Sequence, residues 1–214
     1  MIEQKFEKGK LTEIKIRIEE LEKVIIVQSY FSVKKLDKKE NTAGKIIENY
    51  REKIRDNSKE EAENYFGQNL NIIENFIEKL KFKNDEYDYV QIFYPSDQKR
   101  YKVLEDFSNK HFNQFYNYSD KFSKNQNRSV VGLNCEDAEK IFSFKKPDQI
   151  NKKIKSLLII DDTIDTGCTI KIFLNKLYKE NLIDESTEIK AIIIYNNYKS
   201  SEPRLSWEEI KSRT

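Results

Sequence analysis

Glycine and proline are scarce in this chain of 214 residues, at five and three, and so are cysteine, at two, and histidine, tryptophan and methionine, at one each. Two cysteines are too few for a disulfide-stapled scaffold. Because Cys135 and Cys168 also stand far apart in sequence, no bridge is expected and a reduced, cytoplasmic chain follows. The single histidine, His111, has no fixed partner nearby in sequence, which argues against chemistry built on imidazole. Neither a Gly-x4-Gly-Lys-Ser/Thr cradle nor a Gly-x-Gly-x-x-Gly turn occurs, so the two commonest nucleotide loops are excluded. No apolar run approaches the ~18–20 residues of a membrane span, and residues 1–20 are studded with charge, so neither a leader nor a membrane partner is expected. Charge of one sign is lacking too. Lys and Arg number 39 against 37 Asp and Glu, a net charge of +2, and no bulk field advertises nucleic acid as a partner.

What remains is a chain that is 37 % hydrophobic and 36 % charged, enough for one α/β core with long solvated helices. With so few glycines, the position of each is informative. Gly167 falls inside the most distinctive stretch, Ser156-Leu157-Leu158-Ile159-Ile160-Asp161-Asp162-Thr163-Ile164-Asp165-Thr166-Gly167-Cys168-Thr169. Its apolar run reads as a buried parallel strand delivering two carboxylates to solvent at its C-terminal end, where open α/β sheets place their chemistry. A helix over Ile170 to Leu182 follows. Between them, the backbone amides and the Thr166 and Thr169 hydroxyls form an anion cradle at a helix N-terminus. An Asp-Asp pair after a strand also occurs merely as a helix cap and first-turn acid, worth ~1 kcal/mol. Asp165, Thr166, Gly167 and Thr169 together point past that reading to one ligand: vicinal hydroxyls for the carboxylates and a phosphate for the amides, hence a sugar phosphate.

The row Leu-Ile-Ile-Asp-Asp-Thr-Ile-Asp-Thr-Gly-Cys-Thr closely resembles the phosphoribosyl-pyrophosphate (PRPP) motif of type I phosphoribosyltransferases. Thr163 departs from it, since the family usually has an apolar residue there. The resemblance implies a mostly parallel central sheet with helices on both faces, carrying an N-terminal β-plus-helical, hood-like extension. Residues 1–85 are assigned to that extension and 86–214 to the phosphoribosyltransferase-like domain. It also implies transfer of a 5-phosphoribosyl group from PRPP to a nitrogenous base, or the reverse, with Mg2+. Asp161 and Asp162 would bind the ribose hydroxyls and reach the metal indirectly, through water and ribose. Asp165, Thr166, Gly167, Cys168 and Thr169 would hold the 5′-phosphate, and Asp165 would also face the base and assist proton transfer.

Elsewhere the pattern is plainer. Leu11 to Ile18 and Val24 to Val27 read as paired strands, Asp37 to Arg55 and Glu60 to Phe82 as amphipathic helices whose charged faces serve solvation. Tyr87 to Tyr94 reads as a central strand. In the resembled family the loop after that strand holds pyrophosphate, and Ser96, Lys99 and Arg100 are the donors it would need, although glycine is missing; a solvated turn is the alternative. Val103 to Phe122 is an aromatic-rich helix candidate. Ser119 to Arg128 is a loop by composition, either an ordinary connection or a mobile hood loop bringing Lys121, Lys124 or Arg128 to the diphosphate. The order of pieces from Tyr87 to Tyr195 is similar to the competence-associated ComF branch, from which Asp165 departs, that branch commonly having a neutral residue there. The basic runs at Lys145-Lys146 and Lys152 to Lys155 suit a polyanion or plain solvation. Ile189 to Tyr195 is a further buried strand, and Trp207 would seal a sheet edge or a homodimer contact.

Three functions stay open on this basis: the transferase; a non-catalytic module binding PRPP or a nucleoside 5′-phosphate in regulation, DNA uptake or bacterial conflict; and an interaction protein keeping the fold alone.

Overall fold

Val27, Leu157 to Ile160 and Ala191 to Ile194 are almost wholly withdrawn from solvent, because the strands that carry them are covered on both faces. The computed structural model describes residues 10–18, 23–34, 42–55, 59–80, 88–93, 122–124, 135–146 and 153–197. In chain order these form β1 (Lys10–Ile18), β2 (Lys23–Lys34), α1 (Ala43–Arg55), α2 (Lys59–Gln68), α3 (Leu70–Lys79), β3 (Tyr89–Ile92) and β4 (Phe122–Lys124). Then come α4 (Cys135–Glu139), β5 (Phe142–Phe144), β6 (Ser156–Ile164), α5 (Cys168–Lys179) and β7 (Glu188–Asn196).

Five strands make one sheet in the order β1-β2-β7-β6-β3. β1 pairs antiparallel with β2, and the β2–β7, β7–β6 and β6–β3 pairs are all parallel. The fold is thus α/β with a mostly parallel sheet flanked by helices. The N-terminal residues supply two of its strands and the helical layer on one face.

Each face has its own apolar cluster. On one, Ala43, Ile46, Ile47 and Tyr50 of α1, with Ile73, Phe76 and Ile77 of α3, pack against Leu158, Ile160, Ile192 and Ile194. On the other, Phe173, Leu174 and Leu177 of α5 cover Leu157, Ile159, Ala191 and Ile193. Alternation along β6 sends successive side chains to opposite clusters, as the two-residue period requires.

Local chemistry sets the helix ends. Thr42 accepts from the Lys45 backbone N–H at 3.3 Å and caps α1 at Ala43; residues 37–41, expected as the start of this helix, lie outside the described residues. At the far end of α5, Asn181 adopts a left-handed φ of 56°. Its N–H reaches the Tyr178 carbonyl and that of Leu182 the Leu177 carbonyl, both at 2.9 Å, the pairing that closes a helix.

Three expectations are corrected. The single helix over Glu60 to Phe82 is two, because the Asn69 side-chain amide donates to the Tyr65 carbonyl at 2.8 Å while its own N–H turns to Phe66. Phe122 to Lys124, read as helix end and loop, is strand β4, paired antiparallel with β5. The Phe122 ring stacks on Phe142 at 4.8 Å and meets Phe173 at 5.0 Å, so aromatic burial holds this segment where its polar neighbours suggested a loop. Finally, Cys135 and Cys168 form a disulfide, with Cα atoms 5.1 Å apart. Each opens a helix, α4 and α5, and the fold brings those openings together across 33 residues of sequence. The expectation of two unbridged cysteines, which rested on their separation and on Cys168 lying in the proposed phosphate loop, is overturned, and with it this argument for a reducing compartment. Among the described residues no helix is long and apolar enough to cross a membrane.

Candidate functional site

β6 outruns its neighbour. Its pairing with β3 reaches Ile160, where the Phe93 N–H donates to the Ile160 carbonyl at 2.9 Å. Beyond it Asp161, Thr163 and Ile164 stay in register with Ile193, Tyr195 and Asn196 of β7. Asp161 and Asp162 thus lie inside the strand, at 8 % and 5 % exposure, where the sequence suggested release to solvent at its end. Asp161 accepts from the Thr163 N–H at 3.4 Å.

The turn that follows keeps Thr166 exposed and Asp165 half-buried. Gly167 has φ 77° and ψ 3°, a left-handed conformation in which a side chain would clash with its own backbone, and it stands as the N-cap of α5. Its carbonyl takes the first helical bond, from Lys171 N–H at 3.0 Å. The Thr166 hydroxyl oxygen accepts from the Cys168 N–H at 3.4 Å. No acidic residue sits in the first turn of α5 to neutralise its positive end.

Helix α1 crosses the C-terminal ends of three strands and touches each through a polar contact. Gly44 N–H donates to Ser32 Oγ of β2 at 2.9 Å. One turn on, Tyr195 of β7 donates its phenol hydrogen to Glu48 Oε1 at 2.8 Å. One turn further, Arg51 Nη2 donates to Asp165 Oδ2, after β6, at 2.8 Å. Asn197, just past β7, donates to the other Asp165 oxygen. Burial pulls the Arg51 guanidinium down, and the hydrogen bond and charge of Asp165, with Asp162 and Tyr195, more than reverse this, leaving it above its ordinary value. Burial, and then the bond to Glu48, hold the Tyr195 phenol well above its ordinary value.

Sequence reasoning missed Glu48, Arg51, Tyr195 and Asn197. Gly44, Glu48 and Arg51 do recur at helical spacing beside the apolar stripe, a signal that a merely solvated charged face gives equally. Of the other candidates, Ser96, Lys99, Arg100, Lys121 and Arg128 lie outside the described residues, as do His111 and Trp207, while Lys124 is in β4. In the basic runs, Lys145 and Lys146 are exposed and Lys153 pairs with Asp184 at 2.6 Å. Among the described residues, no cluster of three or more His, Cys, Asp or Glu is placed to enclose a metal ion.

A scan of the chain against models of known protein families finds no match, and a search of curated proteins finds none either.

Proposed function

We propose that the turn after β6 binds PRPP or a nucleoside 5′-phosphate, and that the chain transfers the 5-phosphoribosyl group between diphosphate and a nitrogenous base with Mg2+. The observation that carries this reading is a spacing: two carboxylates on the parallel strand β6 and, five residues after the second, Gly167 at positive φ heading α5. In it, Asp161 and Asp162 accept hydrogen bonds from the ribose 2′- and 3′-hydroxyls. The amides of residues 165–169 and the hydroxyls of Thr166 and Thr169 receive the phosphate, favoured by the positive end of the helix. Two carboxylates are hard oxygen donors that suit Mg2+ holding most of its water, which agrees with a metal bound through water and ribose and not in a protein cage. When bound, the ion neutralises charge on the leaving diphosphate. Carboxylates beside the sugar suit the positive charge that builds at its anomeric carbon.

A second reading, a module that binds the same ligands without turnover in regulation, DNA uptake or bacterial conflict, is favoured by one observation. Both oxygens of Asp165 already accept hydrogen bonds, from Arg51 and Asn197, which leaves this carboxylate less available to take a proton from a base. Isotope-labelled PRPP incubated with Mg2+ and a panel of purine and pyrimidine bases separates the two. Label appearing in a nucleotide with one base supports the transferase. Saturable binding without turnover supports the module, and absence of binding contradicts both.

A further inference from the structure

We propose that Arg51 of α1 is a positioning residue of this site: its guanidinium fixes the Asp165 carboxylate at the head of the turn and offsets the acid that would otherwise repel an incoming phosphate. The inference rests on the reading of the turn as a phosphoribosyl site.

Asp161, Asp162 and Asp165 place three carboxylates within five residues, beside a turn proposed to receive a phosphate and a diphosphate. Without a nearby cation their field opposes that ligand. Arg51 supplies the cation from an element 114 residues away in sequence. Its Nη2 lies 2.8 Å from Asp165 Oδ2, and the charge of Asp162 is among those that hold the guanidinium above its ordinary value.

The way Arg51 is held separates this from an ordinary surface ion pair. It is only about a quarter exposed, and Gly44 and Glu48 on the preceding turns of the same helix are fastened to β2 and β7. The guanidinium therefore arrives on a rigid support. Asp165 is gripped from two sides, by Arg51 on one oxygen and by Asn197 on the other. With its first residue fixed, the turn presents Gly167 and the opening amides of α5 in one arrangement, and less ordering is left for the ligand to bring about.

The test is calorimetric titration of PRPP with Mg2+ into wild type, Arg51→Gln and Arg51→Lys, each checked for a cooperative thermal melt. We expect Arg51→Gln to bind at least tenfold more weakly and Arg51→Lys, which keeps the charge, to stay within about threefold of wild type. A wild type that binds and an Arg51→Gln that binds within twofold of it overturn the role of Arg51 and leave the phosphoribosyl reading standing, as does an Arg51→Lys no better than Arg51→Gln. A wild type that binds no PRPP overturns both. Should Arg51→Gln fail to fold, the Nε–Hε resonance of Arg51 in the wild type decides: a shift that saturates with PRPP is expected, and an unmoved resonance overturns the role.

Discussion

Tyr195, the penultimate residue of strand β7, gives its phenol hydrogen to Glu48 of α1 across 147 residues of sequence, and through this bond the N-terminal helix is fastened to the C-terminal end of the sheet. Replacing Tyr195 with Phe removes a hydrogen bond to a charged acceptor and should lower unfolding stability by roughly 1–3 kcal/mol. The pH dependence has a definite sign. Because the folded phenol titrates above its ordinary value, its contribution is complete below about pH 10 and is lost as pH rises beyond that. Denaturant melts of wild type and Tyr195→Phe should therefore converge on the alkaline side, and a gap that persists unchanged above pH 10 would contradict the assignment.

Gly167→Ala forces a β-carbon into φ 77° and should lower stability by about 1–2 kcal/mol. It should also weaken binding of phosphate-bearing ligands more than its effect on the melt would suggest, because the strain is released by moving the turn. Thermal melts with and without PRPP read both quantities, and a variant as stable and as competent as wild type would show that this backbone conformation is not needed.

The Cys135–Cys168 bridge closes a loop of 33 residues, for which chain entropy gives roughly 2–4 kcal/mol. Reduction should lower the melting temperature of the wild type and leave Cys135→Ser unmoved. A non-reducing peptide map should yield one fragment joining the two cysteines, and two separate thiol peptides would refute the bridge.

Much of the β6–α5–β7 unit could be read in advance. Ile159, Ile160 and Ile192 to Ile194 are β-branched runs with a single structural solution, and Gly167 stands out in a glycine-poor chain. The full length of β2 was hidden because Gln28, Ser29, Ser32 and Lys34 interrupt its apolar pattern, and its place in the sheet comes from pairing with β7. Asn69 breaks a helix by a side-chain bond that no periodicity records. Half of the candidate site was legible, since Asp161 to Thr169 are contiguous. The other half was not: Arg51 meets Asp165 because α1 crosses the strand ends, and Asn197 because β7 lies beside β6 with Asn196 opposite Ile164, and nothing local in the sequence marks either meeting.

At the opposite end of the sheet, Asp184 accepts hydrogen bonds from Lys153 and from the hydroxyl and N–H of Ser186, and these hold its carboxyl well below the usual range. A depressed carboxyl contributes stability that is complete above its ordinary value of about 4 and is lost as pH falls further. Asp184→Asn should consequently be less stable than wild type at pH 7 and approach it at pH 2. Melts at the two pH values check this, and an equal deficit at both would contradict it.

The most direct measurement is the affinity of PRPP with Mg2+ for the wild type and for a folded variant carrying Asp161→Asn and Asp162→Asn. Loss of two charge-assisted hydrogen bonds to the ribose should weaken binding by roughly 2–5 kcal/mol, or about 30- to 5000-fold. Equal affinity in the two proteins, or no measurable binding to the wild type, would contradict the assignment of β6 and its turn as a phosphoribosyl site.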